Sequence, residues 1–379
     1  MRKYYVDNLR ILCILLLFPF HASVIYNNWG EQWYINQPGQ WLPSIFVTIT
    51  YPWWMSLLFV IAGMSTVYAL QHRTLQEYRR ERVHKLLIPF ISGLFLVIPV
   101  QSYIADIFYN GYEGNYFEHY KEFFVLTTWS GSDGHFTPGH TWFILYLYIA
   151  CQVSLPLISQ YRKREKKVKE SSNWEAQKKT GLIEGSKLTM PWLLALFVLL
   201  IITAPILDIG GKSMGEYTCC FLLGYFVMSL GEVQERVEKH WKGLTIAWIV
   251  FMVIHVVMNF IGINTQNWTV VSEGTYDLLL GVEYRIYEWI GILACLGLGK
   301  HFLNQKTKLT EVMAPAAFPL YYFHQSVMVV VGYFVISNCS IMPVQYFAIV
   351  IGTFVISWLL YELCSRFSVT CFLFGFKKK

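Results

Sequence analysis

Charge is scarce in this chain: Asp, Glu, Lys and Arg together make up 14% of its 379 residues, while 55% are apolar and 17% aromatic. With a mean hydropathy of +0.40, it has too little polar surface to solvate a soluble domain of this size. Proline- or serine-rich linkers are lacking, so composition sets off no appended soluble domain. The lack of an internal repeat disfavours carriers built from duplicated halves. The eight cysteines show no C-x-x-C, and neither H-x-E nor paired-histidine spacing occurs, so no metal is required. Cys13, Cys151 and Cys295 fall inside apolar stretches and read as small apolar fillers. No small-x-small cleavage site follows the first apolar run before Asn27-Asn28-Trp29, so that run is expected to remain as a helix.

Long apolar runs are what the chain has instead. Ten of them, near 9–27, 45–70, 86–107, 141–160, 191–209, 216–230, 243–262, 277–299, 313–337 and 344–367, are long enough, or nearly so, to cross a hydrocarbon core of about 30 Å. The run 216–230 is the shortest. The expected fold is all-α: one polytopic membrane domain over residues 1–379 with about ten transmembrane helices. Lys and Arg test that count. Putting both termini and every second loop in the cytosol gathers all 30 of them there except Lys121, Lys212 and Arg285, as the positive-inside tendency requires. The net charge of +6 then needs no nucleic-acid partner, only a lipid bilayer.

Two loops stand out. The cytosolic loop, about 161–188, holds Arg162-Lys163-Arg164-Glu165-Lys166-Lys167 and reads as a surface helix or a mobile loop. The outward loop, about 108–140, sets Tyr112, Tyr116, Phe117, Tyr120, Trp129 and His135 among Gly, Asp and Glu. Such a mixture serves either as an interfacial aromatic belt or as a sugar-binding surface, where C–H faces stack and hydroxyls are held. Asn267-Trp268-Thr269 and Asn338-Cys339-Ser340 are glycosylation sequons in outward loops.

Ionisable residues within the apolar runs are the candidates for chemistry, because polar groups at that depth are costly and usually line a cavity or pathway. Eleven steps of about 100° bring His21 back to within about 20° of Arg10, about 16 Å further along the same helix face. Arg10 is then at the cytosolic mouth, either binding a polar ligand group or snorkelling beside Asp7. His21 is near mid-bilayer, where imidazole can take a hydroxyl proton or act as a nucleophile; the bland alternative is a buried histidine bonded to a neighbour. Pro19 is expected to loosen the helix just before it. By depth, His324 and Glu288 belong near the level of His21. Glu283, Arg285 and Glu288 share one span, and Arg285 and Glu288 can meet one turn apart, either around a polar chamber or as a structural ion pair. His140 and Trp142 sit at the outward end of their helix, and Arg79 and Arg82 lie one turn apart on a cytosolic loop. His255, Glu362 and Ser65 read as packing or helix-end residues.

Together these residues resemble the membrane-bound acyltransferase-3 family. The elements that carry the resemblance are Asp7-Asn8-Leu9-Arg10 leading to Pro19-Phe20-His21, Leu58-Phe59-Val60-Ile61-Ala62-Gly63, Arg79-Arg80-Glu81-Arg82 with Leu87-Ile88-Pro89-Phe90, and His140-Thr141-Trp142-Phe143. The late Tyr321-Tyr322-Phe323-His324 is similar too. The start, from Tyr4-Tyr5-Val6-Asp7 to Trp33-Tyr34-Ile35-Asn36, looks most like the glucan biosynthesis protein C branch, whose members are implicated in succinylating periplasmic glucans. Thr141 departs from the leucine common in the family, a change expected to alter packing rather than chemistry.

The resemblance implies transfer of an acetyl or succinyl group from cytosolic acyl-CoA, a co-substrate rather than a bound cofactor, to a hydroxyl of an envelope carbohydrate. It implies His21 and Arg10 as catalytic candidates, joined by Glu288 on the ground of helix depth, and Arg79, Arg82 and Arg10 as donor-binding, since two guanidinium forks suit the phosphates of CoA. His140, Trp142 and His324 are the acceptor-binding candidates. The implied location is the inner membrane of a bacterium. Implied partners are acyl-CoA, a glycan, further copies of the chain, or glycan-assembly proteins. A carrier or flippase for a sugar, lipid or organic anion is the rival reading from another class; it would release no thiol from acyl-CoA.

Overall fold

The computed structural model describes residues 3–170, 183–264 and 273–378; the sequon at Asn267 lies outside them. The longer helices, in chain order, are α1 Tyr4–Val24, α2 Trp41–Gln71, α3 Leu75–Asn110, α4 Trp142–Glu170, α5 Met190–Thr203, α6 Met214–Met228, α7 Gly231–Lys239, α8 Trp241–Asn264, α9 Glu273–Phe302, α10 Lys308–Asn338, α11 Met342–Cys364 and α12 Ser368–Phe374. No strand occurs among the described residues beyond one isolated bridge, Asp208 to Ser213. Each of the ten apolar runs falls on a helix. Seven of these helices, α1 to α4, α8, α10 and α11, are long and apolar enough to cross a membrane. The other three fall short of the expected ten for two reasons. The apolar helices α5 and α6 are short, and α9 carries Asp277, Glu283, Arg285 and Glu288 along its length.

Contacts between the connections sort them into two ends. At one, Lys3 Nζ donates to Gln234 Oε1, the Asn8 amide reaches the carbonyls of Leu303 and Gln305 at 2.6 and 3.0 Å, and Arg162 donates to Leu70 O at 2.9 Å. Arg236 joins the same end through Gly185 O at 2.9 Å. These are the connections rich in Lys and Arg, and this is the basic end. At the other end Tyr34 meets Thr137, Tyr26 meets Gln345, and Trp41 packs on Phe260.

Helices α1, α2 and α10 lie largely inside the bundle, whereas α8 and α11 present most of their apolar surface outward. Lipid provides no hydrophobic drive for helix association, so close approach depends on small residues. Gly63 of α2 and Gly224 of α6 show this. A Cβ on Gly63 would lie 2.0 Å from Phe221 O, and one on Gly224 would lie 2.1 Å from Val60 O. Any side chain there would force the two backbones apart.

Prolines shape the helices around the site. A π-turn, Val83–Leu87, precedes Pro89 in α3, and a second interruption at Val97 and Ile98 precedes Pro99. Pro99 has no N–H for the carbonyl four residues back, and Phe95 O accepts the Tyr120 hydroxyl instead at 2.9 Å. The looser turn also exposes Val97 O, which accepts from Ser326 Oγ of α10 at 2.8 Å. In contrast, α1 runs unbroken through Pro19, so the expected loosening there is slight. Pro19 O accepts both Ser23 Oγ and Tyr346 Oη, at 2.8 and 3.0 Å, tying α1 to α11. Beyond α11, α12 folds back so that Leu373 O accepts from Ser92 Oγ and Phe374 and Phe376 pack on Tyr322 and Phe323.

Candidate active site

Three histidines from distant parts of the sequence meet inside the bundle. His21 of α1 and His324 of α10 have ring centroids 4.9 Å apart, and His140, on the one-turn 3-10 segment leading into α4, is 5.0 Å from His324. Gly139 makes that turn with φ +48, a left-handed conformation that favours glycine. His140 is therefore buried rather than interfacial. Thr141 turns its hydroxyl back to Pro138 O at 2.6 Å and stands under Gly93.

Hydrogen bonds set the tautomers. A carbonyl oxygen only accepts, so a ring nitrogen facing one carries the proton. His21 Nδ1 faces Leu17 O at 3.1 Å and His324 Nδ1 faces Tyr321 O at 2.5 Å. Each neutral ring then has its lone pair on Nε2. His324 Nε2 is buried with no hydrogen-bond partner, whereas His21 retains some accessible surface. His140 is the reverse case: Nε2–H donates to Tyr322 O at 2.9 Å, and Nδ1 accepts from the Gln101 amide at 3.3 Å. Its ring is fully engaged and holds position, while His21 and His324 each keep a basic nitrogen uncommitted.

From His140 a buried polar chain leads toward the end opposite the basic one. Gln101 donates to Ser326 Oγ at 2.6 Å and accepts from the Gln325 amide at 3.0 Å. Gln325 in turn interacts with Tyr34, whose hydroxyl lies 3.4 Å from Thr137 Oγ1. Trp33 stacks beside His21 with centroids 6.0 Å apart, and Trp54, hydrogen-bonded to Cys13 O, closes another side at 6.3 Å.

The basic end of α1 carries Arg10, which donates to Ser65 Oγ at 2.9 Å and pairs with Asp7 at 3.2 Å. Ser65 thus supports Arg10 directly. Arg79 is exposed, while Arg82 lies 4.9 Å over the Tyr78 ring and 3.2 Å from Glu81, a carboxylate shared with Arg73 and Lys85. Glu288 is not among the contacts of the histidines. It pairs with Arg285 at 2.9 Å, and Arg285 also holds Glu216 at 2.5 Å. Trp142 packs against Tyr217 and Tyr146 rather than on the histidine rings. His255 is bonded to Glu283 at 2.7 Å, and both are buried.

Gln101, Gln325, Ser326, Tyr34 and Glu216 complete these clusters and were not singled out from the sequence. A signal existed: Gln101-Ser102 and Gln325-Ser326 are polar pairs within apolar runs, and Glu216 opens one. Among the described residues no group of three or more His, Cys, Asp or Glu is arranged to hold a metal ion.

A family model described as an acyltransferase domain matches residues 3–362. The chain is 22% identical over 387 residues to the glucans biosynthesis protein C of Salmonella paratyphi A (strain ATCC 9150 / SARB42), of Salmonella agona (strain SL483) and of Salmonella dublin. Each alignment covers 99% of this chain and 95% of the relative. No solved structure matches the chain. The match along almost the whole helical bundle identifies this integral membrane protein as a member of the acyltransferase-3 family.

Proposed function

We propose that the protein moves an acetyl or succinyl group from acyl-CoA, bound at the basic end, to a hydroxyl of an envelope carbohydrate that enters from the opposite end. The basic end is cytosolic in this reading, the membrane is a bacterial inner membrane, and a glucan is the acceptor class suggested by the relatives' name. The observation that carries the proposal is the uncommitted Nε2 of His21, on the helix that also bears Arg10 and at the foot of the polar chain through His140 and Gln101. As general base, His21 Nε2 takes the acceptor's hydroxyl proton while the oxygen attacks the thioester carbonyl. The C–S bond breaks, and the departing thiolate receives the proton to give CoA thiol. In the covalent variant, Nε2 attacks the thioester carbonyl, the C–S bond breaks and CoA leaves as thiolate; the acceptor hydroxyl then takes the acyl group from the acyl-imidazolium, freeing the imidazole, and its proton passes to the thiolate to give CoA thiol.

Arg10 holds a polar group of the donor, a phosphate or the acyl carbonyl, as it passes the basic mouth, and Arg79 and Arg82 bind its phosphates by charge-assisted hydrogen bonds. His324 and His140 shape the acceptor end, with Trp142 and Glu288 further along the passage. Purified protein in vesicles should release thiol from acyl-CoA when a glucan oligosaccharide is supplied, and mass spectrometry should find the acylated sugar. Thiol release that is independent of His21, or absent with every hydroxyl compound tried, would refute the assignment.

A further inference from the structure

A cleft with a volume of about 450 Å³ opens at the end opposite the basic one. Its walls are Gln37, residues 336–340 where α10 turns toward α11, and Gln345 of α11. No charged side chain lines it; amides and hydroxyls stand beside the apolar Ile336 and Cys339. The volume falls within the range of ligand sites, about 300–1,000 Å³.

Hydrogen bonds fix both walls. Gln345 is buried, its Oε1 accepting from the Tyr26 hydroxyl at 3.0 Å and its Nε2 donating to Cys339 O at 2.6 Å. On the other side the Gln37 N–H donates to Ile25 O at 2.9 Å, and the Trp33 N–H to Asn36 Oδ1 at 2.8 Å. The cleft is therefore pre-formed. Asn338 donates its amide N–H to Phe334 O, Gln37 to Asn36 O and Ser337 its hydroxyl to Tyr333 O, at 2.8, 3.2 and 2.8 Å, which leaves acceptor oxygens on all three residues. A neutral ligand rich in hydroxyls satisfies such oxygens by donating O–H, and its C–H faces rest on Ile336 and Cys339. A phosphate or carboxylate would find no cation there for a charge-assisted bond.

The walls are tied to the turn of α1 that bears the proposed base. Tyr346, next to Gln345, donates to Pro19 O at 3.0 Å and lies 3.1 Å from Ser23 Oγ, and Pro19 and Ser23 flank His21. Tyr26 is five residues past His21, about 7 Å at the helix rise. Trp33, in the segment that carries Gln37, stacks at 6.0 Å beside His21. We infer that this cleft is a second binding site for a neutral glycan, holding units of the acceptor beyond the one acylated at His21. The inference rests on the acyl-transfer reading and adds where a long acceptor is gripped and that its units there are uncharged. No bond is made or broken in the cleft.

The thiol of Cys339, partly exposed in the cleft wall, reports on occupancy directly. The full chain in vesicles is treated with a membrane-impermeant maleimide, and labelling of Cys339 is followed by mass spectrometry. A long glucose oligosaccharide should slow that labelling by about fivefold or more, and an oligosaccharide of glucuronic acid should slow it less. Gln37→Ala and Asn338→Ala should each raise the concentration needed for protection by about fivefold, the worth of one lost hydrogen bond. In thiol release both variants should raise the KM for the long oligosaccharide and leave those for a glucose disaccharide and for acyl-CoA unchanged. Labelling that the glucose oligosaccharide does not slow, or protection that both variants retain in full, would overturn the site, as would an equal rise in KM for long and short acceptors. Equal protection by the glucuronic acid chain would overturn its preference for uncharged units. If the sugar protects Cys339 but wild-type protein releases no thiol, the acyl-transfer reading fails and the cleft stands as a glycan site.

Discussion

His21 and His324 face each other across the α1–α10 interface, 4.9 Å between ring centroids, and each has Nδ1 bonded to a carbonyl of its own helix. Residues 303 positions apart in sequence are thereby locked into the same tautomer, with both lone pairs on Nε2. His21→Ala should abolish transfer while leaving expression and the thermal midpoint near wild type. His324→Gln should lower turnover more than it changes the KM for acyl-CoA, because it alters the partner of the reacting ring rather than the donor site. Steady-state kinetics on folded variants separates the two outcomes.

Depth was legible in the sequence, because helix rise and the distribution of Lys and Arg fix how far each residue lies from a membrane face. That logic puts His21 and His324 on one level, and the rings are in fact neighbours. Pairing across helices was not legible. Glu216 and Arg285 are 69 positions apart and meet through the packing of α6 near α9, and Gln101, just past the interruption before Pro99, reaches His140 39 positions on. His140 looked like a helix-end residue; the left-handed turn at Gly139 tucks it inside. The shortness of α5 and α6 was half visible, since 216–230 was already the shortest run.

The guanidinium forks of Arg79 and Arg82 should govern donor affinity. Alanine at either position should weaken acyl-CoA binding by about 1–3 kcal/mol if a charge-assisted hydrogen bond is lost. Lysine should rescue poorly, because an ammonium cannot form the two-pronged contact. Arg82→Lys should suffer further from losing its stacking on Tyr78. Isothermal titration with acyl-CoA checks this, and an unchanged dissociation constant would leave these arginines with a topological role only.

Gly63→Ala and Gly224→Ala should each destabilise the bundle by about 1–3 kcal/mol through overpacking, since the added carbon meets backbone oxygen rather than a movable side chain. The thermal midpoint in detergent is the readout. Gly243→Ala, where nothing lies within 4 Å of the added Cβ, should change it little.

The loop at 108–140 should respond to acid through His119. This histidine has no accessible surface, and burial holds it below the usual histidine value, against the opposing pull of Asp106, whose Oδ2 lies 3.3 Å from Nε2, and of Glu122. The folded state therefore binds fewer protons than the unfolded state at and just below about pH 6.5. Its contribution to stability is complete above that value and declines as the pH falls toward the depressed folded value. Between about pH 7.5 and 5.5 the thermal midpoint of wild type should drop more than that of His119→Gln; equal drops would show that His119 is not the titrating group.

Sidedness tests the central claim most directly: one buried centre at His21 joins a donor and an acceptor that arrive from opposite ends. Oriented vesicles are given acyl-CoA only at the basic face and a membrane-impermeant glucan oligosaccharide only at the opposite face. Acylated oligosaccharide should appear on the far side with an equal amount of CoA thiol retained on the near side, and His21→Ala should eliminate both. Acylation only when both substrates share one side would contradict the account.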